Sequence, residues 1–356
     1  MDPEALLELG ELEVFTGIRH KVYAGTLSSN GEVGVVAGGG GNVSLLVRGV
    51  GRADDVDDDD DDDVGSKRRV VTEQLHSGWV SQVALMPRAG SQAGPLLISC
   101  ANDATVVAAS LPDLVPLAVS RGIHDAGIYD LALSGCSMVS GSKDGTVSHS
   151  LVGDDGVAIG IRRYVKSDDG AVVKAVAWGA EDAFAAAGND KIVSLYDVRS
   201  PLPVLAMGNL HSRAINSLVW SPRSEFELLS VSFGGRIVVS DIRAPEAPLG
   251  VLLAHDKQDA GSKINHPALF NTGAALLTLS AAAPKALLAY SLVGGSRQAG
   301  LAYAGAIASF PTKPSALYTA PYNEGCVGKR PVGGLEALVT FASSAVVYGP
   351  VRQQRA

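Results

Sequence analysis

Two stretches in the middle of the chain, FAAAGNDKIVSLYD (184–197) and LLSVSFGGRIVVSD (228–241), follow one plan. Each has a run of small or β-branched residues, a tight polar turn, and a second β-branched run ending in aspartate. Two short apolar runs joined by Asn, Asp or Gly form a β-hairpin. A hairpin that recurs at a regular period dictates a repeat architecture ahead of every other property of the chain. With the hairpin turn as anchor, the plan recurs at Gly40, Asp103, Asp144, Asp190, Gly234, Pro284 and Ala342, at intervals of 63, 41, 46, 44, 50 and 58 residues. Three positions beyond the anchors stand Val43, Val106, Val147, Val193, Ile237, Leu287 and Ala345. That column is apolar throughout, as a strand facing a core requires.

A further strand is predicted before each hairpin, over 22–27, 80–85, 128–133, 172–178, 215–220, 267–270 and 316–318. A fourth is predicted after it, as in 203–207 and 250–253. Four short strands per unit of this length fit a propeller blade. The fold class expected is therefore all-β: a seven-bladed β-propeller of four-stranded antiparallel blades, one domain over 1–356. Such a ring abolishes free sheet edges only if its ends join. The segment LEVFT (12–16) precedes the first unit and is placed to supply the outer strand of the last blade, beside 337–341 and 345–348.

Charge is concentrated in one place. The chain of 356 residues has a formal net charge of −8. Asp54, Asp55, Asp57, Asp58, Asp59, Asp60, Asp61, Asp62 and Asp63 supply enough negative charge that the remainder is close to neutral. Like charges at this density repel and stay solvated. Residues 52–69 are accordingly predicted to be a disordered acidic insertion between the third and fourth strands of blade 1, able to contact a basic peptide or histone tail. No broad basic surface supports direct nucleic-acid binding. No run reaches the ~18 uncharged apolar residues of a membrane helix. Three scattered cysteines (Cys100, Cys136, Cys326) and an acidic N-terminus point to a reducing compartment, cytoplasmic or nuclear.

Motifs that carry chemistry are not assembled. GGGGN (38–42) lacks the Lys-Ser/Thr of a nucleotide loop, and SGSK (140–143) lacks a Lys-Thr-Gly partner. The cysteines and histidines have no metal-ligand spacing, and there is no nucleophile elbow. No catalytic residue, cofactor or metal is expected, and the protein is predicted not to be an enzyme.

The segments HSGWVSQVAL with LLISCANDATVV, HDAGIYDLALSG with MVSGSKDGTVSHSL, AGNDKIVSLYDVRSP, and HSRAINSLVWSP with LLSVSFGGRIVVSDIRAP resemble the WD-repeat family over 74–248. No copy ends in Trp-Asp, and Tyr196–Asp197 is the nearest. The resemblance implies that a histidine before the first strand hydrogen-bonds the turn aspartate of its own blade: His76 with Asp103, and His124 with Asp144. His20 and His211 face glycine turns, so their blades should be less tightly pinned, and blade 4 lacks the histidine. Trp79, Trp178 and Trp220 are read as core between blades. The pairs Asp197 with Arg199 and Asp241 with Arg243 resemble the box by which substrate receptors contact the adaptor of cullin-type ubiquitin ligases. The resemblance thus implies a non-catalytic scaffold for protein partners, with a ligase substrate receptor and a basic-peptide binder as alternatives.

Overall fold

The computed structural model describes residues 9–28, 33–47, 69–88, 94–166, 169–179, 182–221, 224–233, 235–253, 268–270, 275–280, 286–293, 300–309, 316–319, 337–340 and 344–350. Its side chains are described within 15–252, Arg69 excepted. The only helical element among these residues is a single 3-10 turn, Gly39–Gly41. The strands form seven four-stranded antiparallel sheets, each built from four consecutive strands except the last.

Blade 1 is Val22–Leu27, Val33–Gly38, Asn42–Val47 and Arg69–Gln74; blade 2 is Val80–Met86, Leu96–Ala101, Val106–Ser110 and Pro116–Ser120. Blade 3 is Ile128–Ser134, Ser137–Ser142, Thr146–Val152 and Ala158–Val165; blade 4 is Val173–Trp178, Ala183–Gly188, Val193–Asp197 and Leu205–Met207. Blade 5 is Ile215–Trp220, Glu227–Ser232, Arg236–Asp241 and Gly250–Leu253; blade 6 is Ala268–Phe270, Ala275–Ser280, Ala286–Val293 and Gly300–Ser309. Blade 7 takes Ala316–Thr319, Ala337–Thr340 and Ser344–Pro350 from the C-terminal part, and its outer strand is Leu9–Thr16. The predicted closure is therefore present, three residues longer than the LEVFT segment that signalled it.

The first strands of blades 1 to 5 lie side by side, as do those of blades 6 and 7 and those of blades 7 and 1; blades 5 and 6 meet along their fourth strands. The first strands thus line the centre and the ring is complete. Each apolar cluster spans a junction between blades. Val35, Ala37 and Leu45 of blade 1 pack with Val80, Val83 and Leu97 of blade 2. Leu96, Ile98 and Cys100 of the same blade 2 strand face Ile128, Leu131 and Met138 of blade 3. Alternate residues of one strand therefore serve opposite junctions. Both faces of the sheets of blades 1 to 5 are buried, so their second strands carry small or apolar residues and buried serines on both faces rather than an apolar–polar alternation.

The apolar column three residues past the turns is fully buried wherever its side chains are described: Val43, Val106, Val147, Val193 and Ile237. The acidic run of Asp54 to Asp63 lies outside the described residues. Arg69, placed by composition at the end of that insertion, instead opens the fourth strand of blade 1. The anchors Gly234, Pro284 and Ala342 also lie outside the described residues, between the second and third strands of their blades.

At the seam, Phe15 of the closing strand is 2% exposed and packs on Ile18, Val22, Leu27, Val36 and Leu46 of blade 1. Truncating a buried Phe costs about 3–5 kcal/mol through lost transfer energy and the cavity left behind. Phe15→Ala should lower the stability measured by chemical denaturation by that amount, although Phe15 belongs to blade 7.

Candidate functional site

The histidines of the repeat are pinned between strand and turn. In blade 3, His124 Nδ1 lies 3.2 Å from Asp144 Oδ2 and 3.1 Å from Thr146 Oγ1, and Nε2 lies 2.9 Å from Ser140 Oγ. In blade 2 the link to the aspartate runs through a hydroxyl. His76 Nδ1 meets Thr105 Oγ1 at 2.8 Å, Thr105 Oγ1 donates to Asp103 Oδ1 at 2.6 Å, and the direct His76–Asp103 separation is 3.4 Å. His76 Nε2 meets Ser99 Oγ at 2.8 Å. Asp103 also accepts from the amides of Ser77 and Gly78, and Asp144 from those of Asp125 and Thr146. Burial raises both carboxyls, but these donors outweigh it and hold them well below the usual carboxylate range.

A serine on the second strand, absent from the sequence reading, completes each set: Ser99, Ser140 and, in blade 5, Ser230, 2.8 Å from His211 Nε2. In blade 1 that position is Val36. The residue facing it on the third strand, Ser44, takes over and meets His20 Nε2 at 2.9 Å. Blade 4, which has no histidine, uses a cation instead. Lys166 follows the last strand of blade 3 and donates its Nζ to the Asp190 carboxylate and to the carbonyl of Ile192 at 3.0 Å. Burial lowers the Lys166 pKa, and the hydrogen bond and charge of Asp190 oppose that shift. Every one of these groups is spent on holding a turn.

A different set of residues lines blades 1 to 5 at the end where the first strands begin. Each of the first five first strands carries a bulge at its second residue, where the register with the second strand skips: Tyr23, Ser81, Tyr129, Lys174 and Asn216. A bulge re-aims the unpaired residue out of the regular pleat. Trp79, one residue ahead of its strand, lies edge-to-face between Tyr23 (5.6 Å) and Tyr129 (5.7 Å) of the neighbouring blades. Lys21 Nζ stands 5.1 Å from the Tyr23 ring centre. Lys174 Nζ stands 5.0 Å from that of Tyr129 and 5.3 Å from that of Phe233, just after the second strand of blade 5. The result is a half-buried rim of rings and ammonium groups running from blade 1 to blade 5.

This corrects the reading of Trp79 as core between blades: it is a rim residue. Trp178 and Trp220 do span junctions, donating Nε1–H to the carbonyls of Ala132 (2.9 Å) and Ala177 (3.3 Å) of the preceding blade. The rim was hidden because Tyr23, Tyr129 and Lys174 are chemically dissimilar and share only a place in a bulged register.

Charge is sorted between the two faces. The rim face carries exposed Arg19, Lys21, Lys143 and Lys191; its carboxylates Asp103, Asp144 and Asp190 are turned inward, Asp125 is paired with Arg163, and Glu73 and Asp169 are exposed. The opposite face exposes Asp113, Asp154, Asp155, Asp182, Glu225 and Glu246. Arg199 and Arg243 lie on that opposite face. Each grips its own aspartate: Arg199 Nε and Nη2 donate to Asp197 at 2.8 and 2.5 Å, and Arg243 Nε and Nη2 to Asp241 at 2.9 and 2.7 Å. The Arg199 hydrogen bonds hold the Asp197 carboxyl down to about 2. Arg243 also lies 4.1 Å from the Phe226 ring centre. Both guanidinium groups still leave much of their surface exposed, 73% and 51%.

Among the described residues, no group of three or more His, Cys, Asp or Glu side chains is arranged to hold a metal, and no helix is long and apolar enough to cross a membrane. The acidic carboxylates proposed as a basic-peptide contact lie outside the described residues.

His211 supplies a titration. Its Nδ1 is buried with no hydrogen-bond partner, and burial, reinforced by the charge of Arg236, holds its pKa down to about 4. The unfolded chain takes up this proton near pH 6.5 and the folded one only near 4. The His211 contribution to stability should therefore be lost as pH drops through that window, by on the order of 3 kcal/mol at its lower end. His20 and His76, also lowered mainly by burial, act with the same sign, whereas Asp130, whose carboxyl burial pushes up to about 7, acts with the opposite one. The prediction is therefore a difference: between pH 7 and pH 4 the denaturation midpoint of His211→Asn should gain relative to that of the unaltered chain.

No protein-family profile matches the chain. The ribosome biogenesis protein WDR12 homolog of Nematostella vectensis is 34% identical over 83 residues, which are 22% of this chain and 20% of that protein. The match thus spans about a fifth of that relative's length. Among solved structures, a chain of the mitotic checkpoint complex superimposes with a TM-score of 0.69 at 18% identity, covering 95% of this chain and 91% of that one. The WD40 β-propeller domain of Doa1 does so with a TM-score of 0.68 at 14% identity, covering 97% of both. At these identities the likeness establishes the fold, and this chain has the fold of a WD40 β-propeller.

Proposed function

We propose that the protein is a non-catalytic scaffold that brings other proteins together in a multiprotein assembly, and that it receives one partner segment across the channel mouth. The observation that carries this reading is the rim of Tyr23, Trp79, Tyr129, Lys174 and Phe233. These are half-buried rings and an ammonium group gathered from five blades at one end of the ring. Aromatic rings with partly exposed faces supply contact area at low entropic cost and are typical anchors of protein interfaces. Lys21 and Lys174, with the exposed Arg19, Lys143 and Lys191 on the same face, favour a partner segment that carries carboxylates. The structural neighbour from the mitotic checkpoint complex is part of an assembly by its title, and the partial relative is named for ribosome biogenesis, which fits this class of function; residence in the nucleus or cytoplasm belongs to the same reading. Affinity purification from cells provides the test. Trp79→Ala with Tyr129→Ala should lose partners that the unaltered chain retains, with thermal stability reduced only slightly, and retention should weaken as salt is raised. Full retention by the double variant would sink the reading.

A second reading has one observation in its favour. Arg199 and Arg243 sit on adjacent blades in the same geometry, each oriented by its own aspartate and each with an exposed guanidinium. That arrangement suits contact with an adaptor such as that of a cullin-type ligase. Arg199→Ala with Arg243→Ala should abolish co-purification of such an adaptor while the fold survives; unchanged co-purification would remove this reading and leave the first intact.

A further inference from the structure

One residue in from the rim, the first strands of blades 2, 3 and 4 meet at a buried carboxylate. Asp130 follows the bulge at Tyr129 and is 8% exposed. Its Oδ1 accepts from Gln82 Nε2 of blade 2 at 3.0 Å and from the amide of Leu131 at 2.9 Å; its Oδ2 accepts from the amide of Val176 of blade 4 at 2.9 Å. The titratable groups on the strands packed around it are Cys100 of blade 2, Tyr129 of its own strand and Lys174 of blade 4. Among the described residues none of the three hydrogen-bonds the carboxylate or forms an ion pair with it, and its donors are neutral amides alone. Burial pushes the Cys100 thiol up, so it carries no charge near neutrality.

An ionised carboxylate accepts at about four lone-pair positions. Here two are taken on Oδ1 and one on Oδ2, so an incoming proton has its place on Oδ2. Gln82 does not receive that proton, because its Oε1 is engaged by the amide of Val83 at 3.0 Å. A hydrogen bond to a carboxylate is roughly twice as strong as one to a neutral oxygen. Protonation therefore weakens the Val176 contact in particular. Blades 2 and 3 stay joined, with Ser81 Oγ donating to the carbonyl of Ile128 at 2.6 Å. The first strands of blades 3 and 4 keep the bond from Trp178 Nε1 to the carbonyl of Ala132, at the end away from the rim. Val176 lies two residues beyond Lys174, whose Nζ stands 5.0 Å from the ring centre of Tyr129. The Asp130–Val176 hydrogen bond thus sets the spacing of two rim residues.

We propose that Asp130 is a positioning residue of the rim and a proton switch upon it. Ionised, it holds Val176 and keeps Lys174 against Tyr129; protonated, it releases Val176 and lets the blade 4 part of the rim move from the blade 3 part. The switch presupposes that the rim is a partner site, and it makes that site sensitive to pH. Burial pushes the carboxyl up to about 7, so both forms are populated near neutrality. The folded chain takes up this proton at a higher pH than the unfolded one, so protonation adds to the stability of the ring while loosening this one contact. The rim relaxes inside a folded molecule. A partner seated on Tyr129 and Lys174 together binds the ionised arrangement and is held less firmly in acid. Loss of the Asp130 charge by itself acts the other way on a partner rich in carboxylates, so the direction of the pH effect separates positioning from charge.

The test is amide-detected nuclear magnetic resonance on the isotope-labelled full chain, from about pH 5.5 to about pH 8.5. The amides of Val176, Lys174 and Tyr129 should titrate together with a midpoint near 7. In Asp130→Asn, which sets an N–H group against the Val176 amide at every pH, they should stay near their acid positions. Gln82→Met removes a donor that favours the charged form and leaves Val176 untouched; it should move the midpoint upward, so the outcome does not hang on the folding of one variant. Partners retained by the unaltered chain at about pH 8 should be retained less at about pH 6, and Asp130→Asn should show the lower level at both. A Val176 amide that does not titrate, or one that titrates while Lys174 and Tyr129 stay still, overturns the switch and leaves the rim standing as a partner site. Retention that rises in acid, or that Asp130→Asn increases, overturns it as well, since charge alone then governs. Failure of the partner site itself is read separately, from Trp79→Ala with Tyr129→Ala.

Discussion

Burial of both faces of a sheet against the sheets beside it, seen in every blade whose side chains are described, is the constraint on which this molecule depends. A four-stranded sheet of this size has no core of its own. Val147 and Val139 of blade 3 are buried because Val173, Val176 and Phe184 of blade 4 cover them, and Ala185 and Leu195 of blade 4 are buried because Ile215 and Leu228 of blade 5 cover those. Each junction is an apolar layer shared by two blades. The first and last blades would each lack one such layer without ring closure, and Phe15 and its strand supply it.

Polar groups at the blade ends follow from that packing. A sheet buried on both sides must satisfy its turns locally, and histidine, serine, threonine and aspartate do this in blades 2 and 3 with little contact with water. Blades 1 and 5 keep the histidine and a serine, while blade 4 achieves the same with a buried lysine and aspartate. The centre of the ring has its own device. Asp130 accepts from Gln82 of blade 2 (3.0 Å), Val176 of blade 4 (2.9 Å) and its neighbour Leu131 (2.9 Å), tying three first strands together. Burial pushes its carboxyl up to about 7, so this tie is held by neutral donors rather than by an opposing charge.

Functional surface is what remains once these demands are met. The rings and lysines of the rim and the exposed arginine boxes lie on opposite faces of the ring. That separation lets one rigid body hold several contacts at once, which is the physical sense in which such a fold serves as a scaffold.

The hairpin period, the buried column from Val43 to Ile237 and the closing strand were legible in the chain itself, because a strand buried on both faces and a turn of Asn, Asp or Gly leave local signatures. The histidine–aspartate partners were expected from the resemblance to WD repeats, but the serines that complete them were not, since a serine within an apolar strand has no distinguishing neighbour in sequence. Trp79 was misread for a related reason: a tryptophan beside a first strand serves a junction or a rim according to which side of a bulge it falls on. Tertiary structure alone decided that Tyr23, Trp79, Tyr129 and Lys174, drawn from four separate repeats, share one rim. Local order is set by residues a few positions apart, whereas a surface is set by how far each blade is rotated from the next, and no single repeat encodes that.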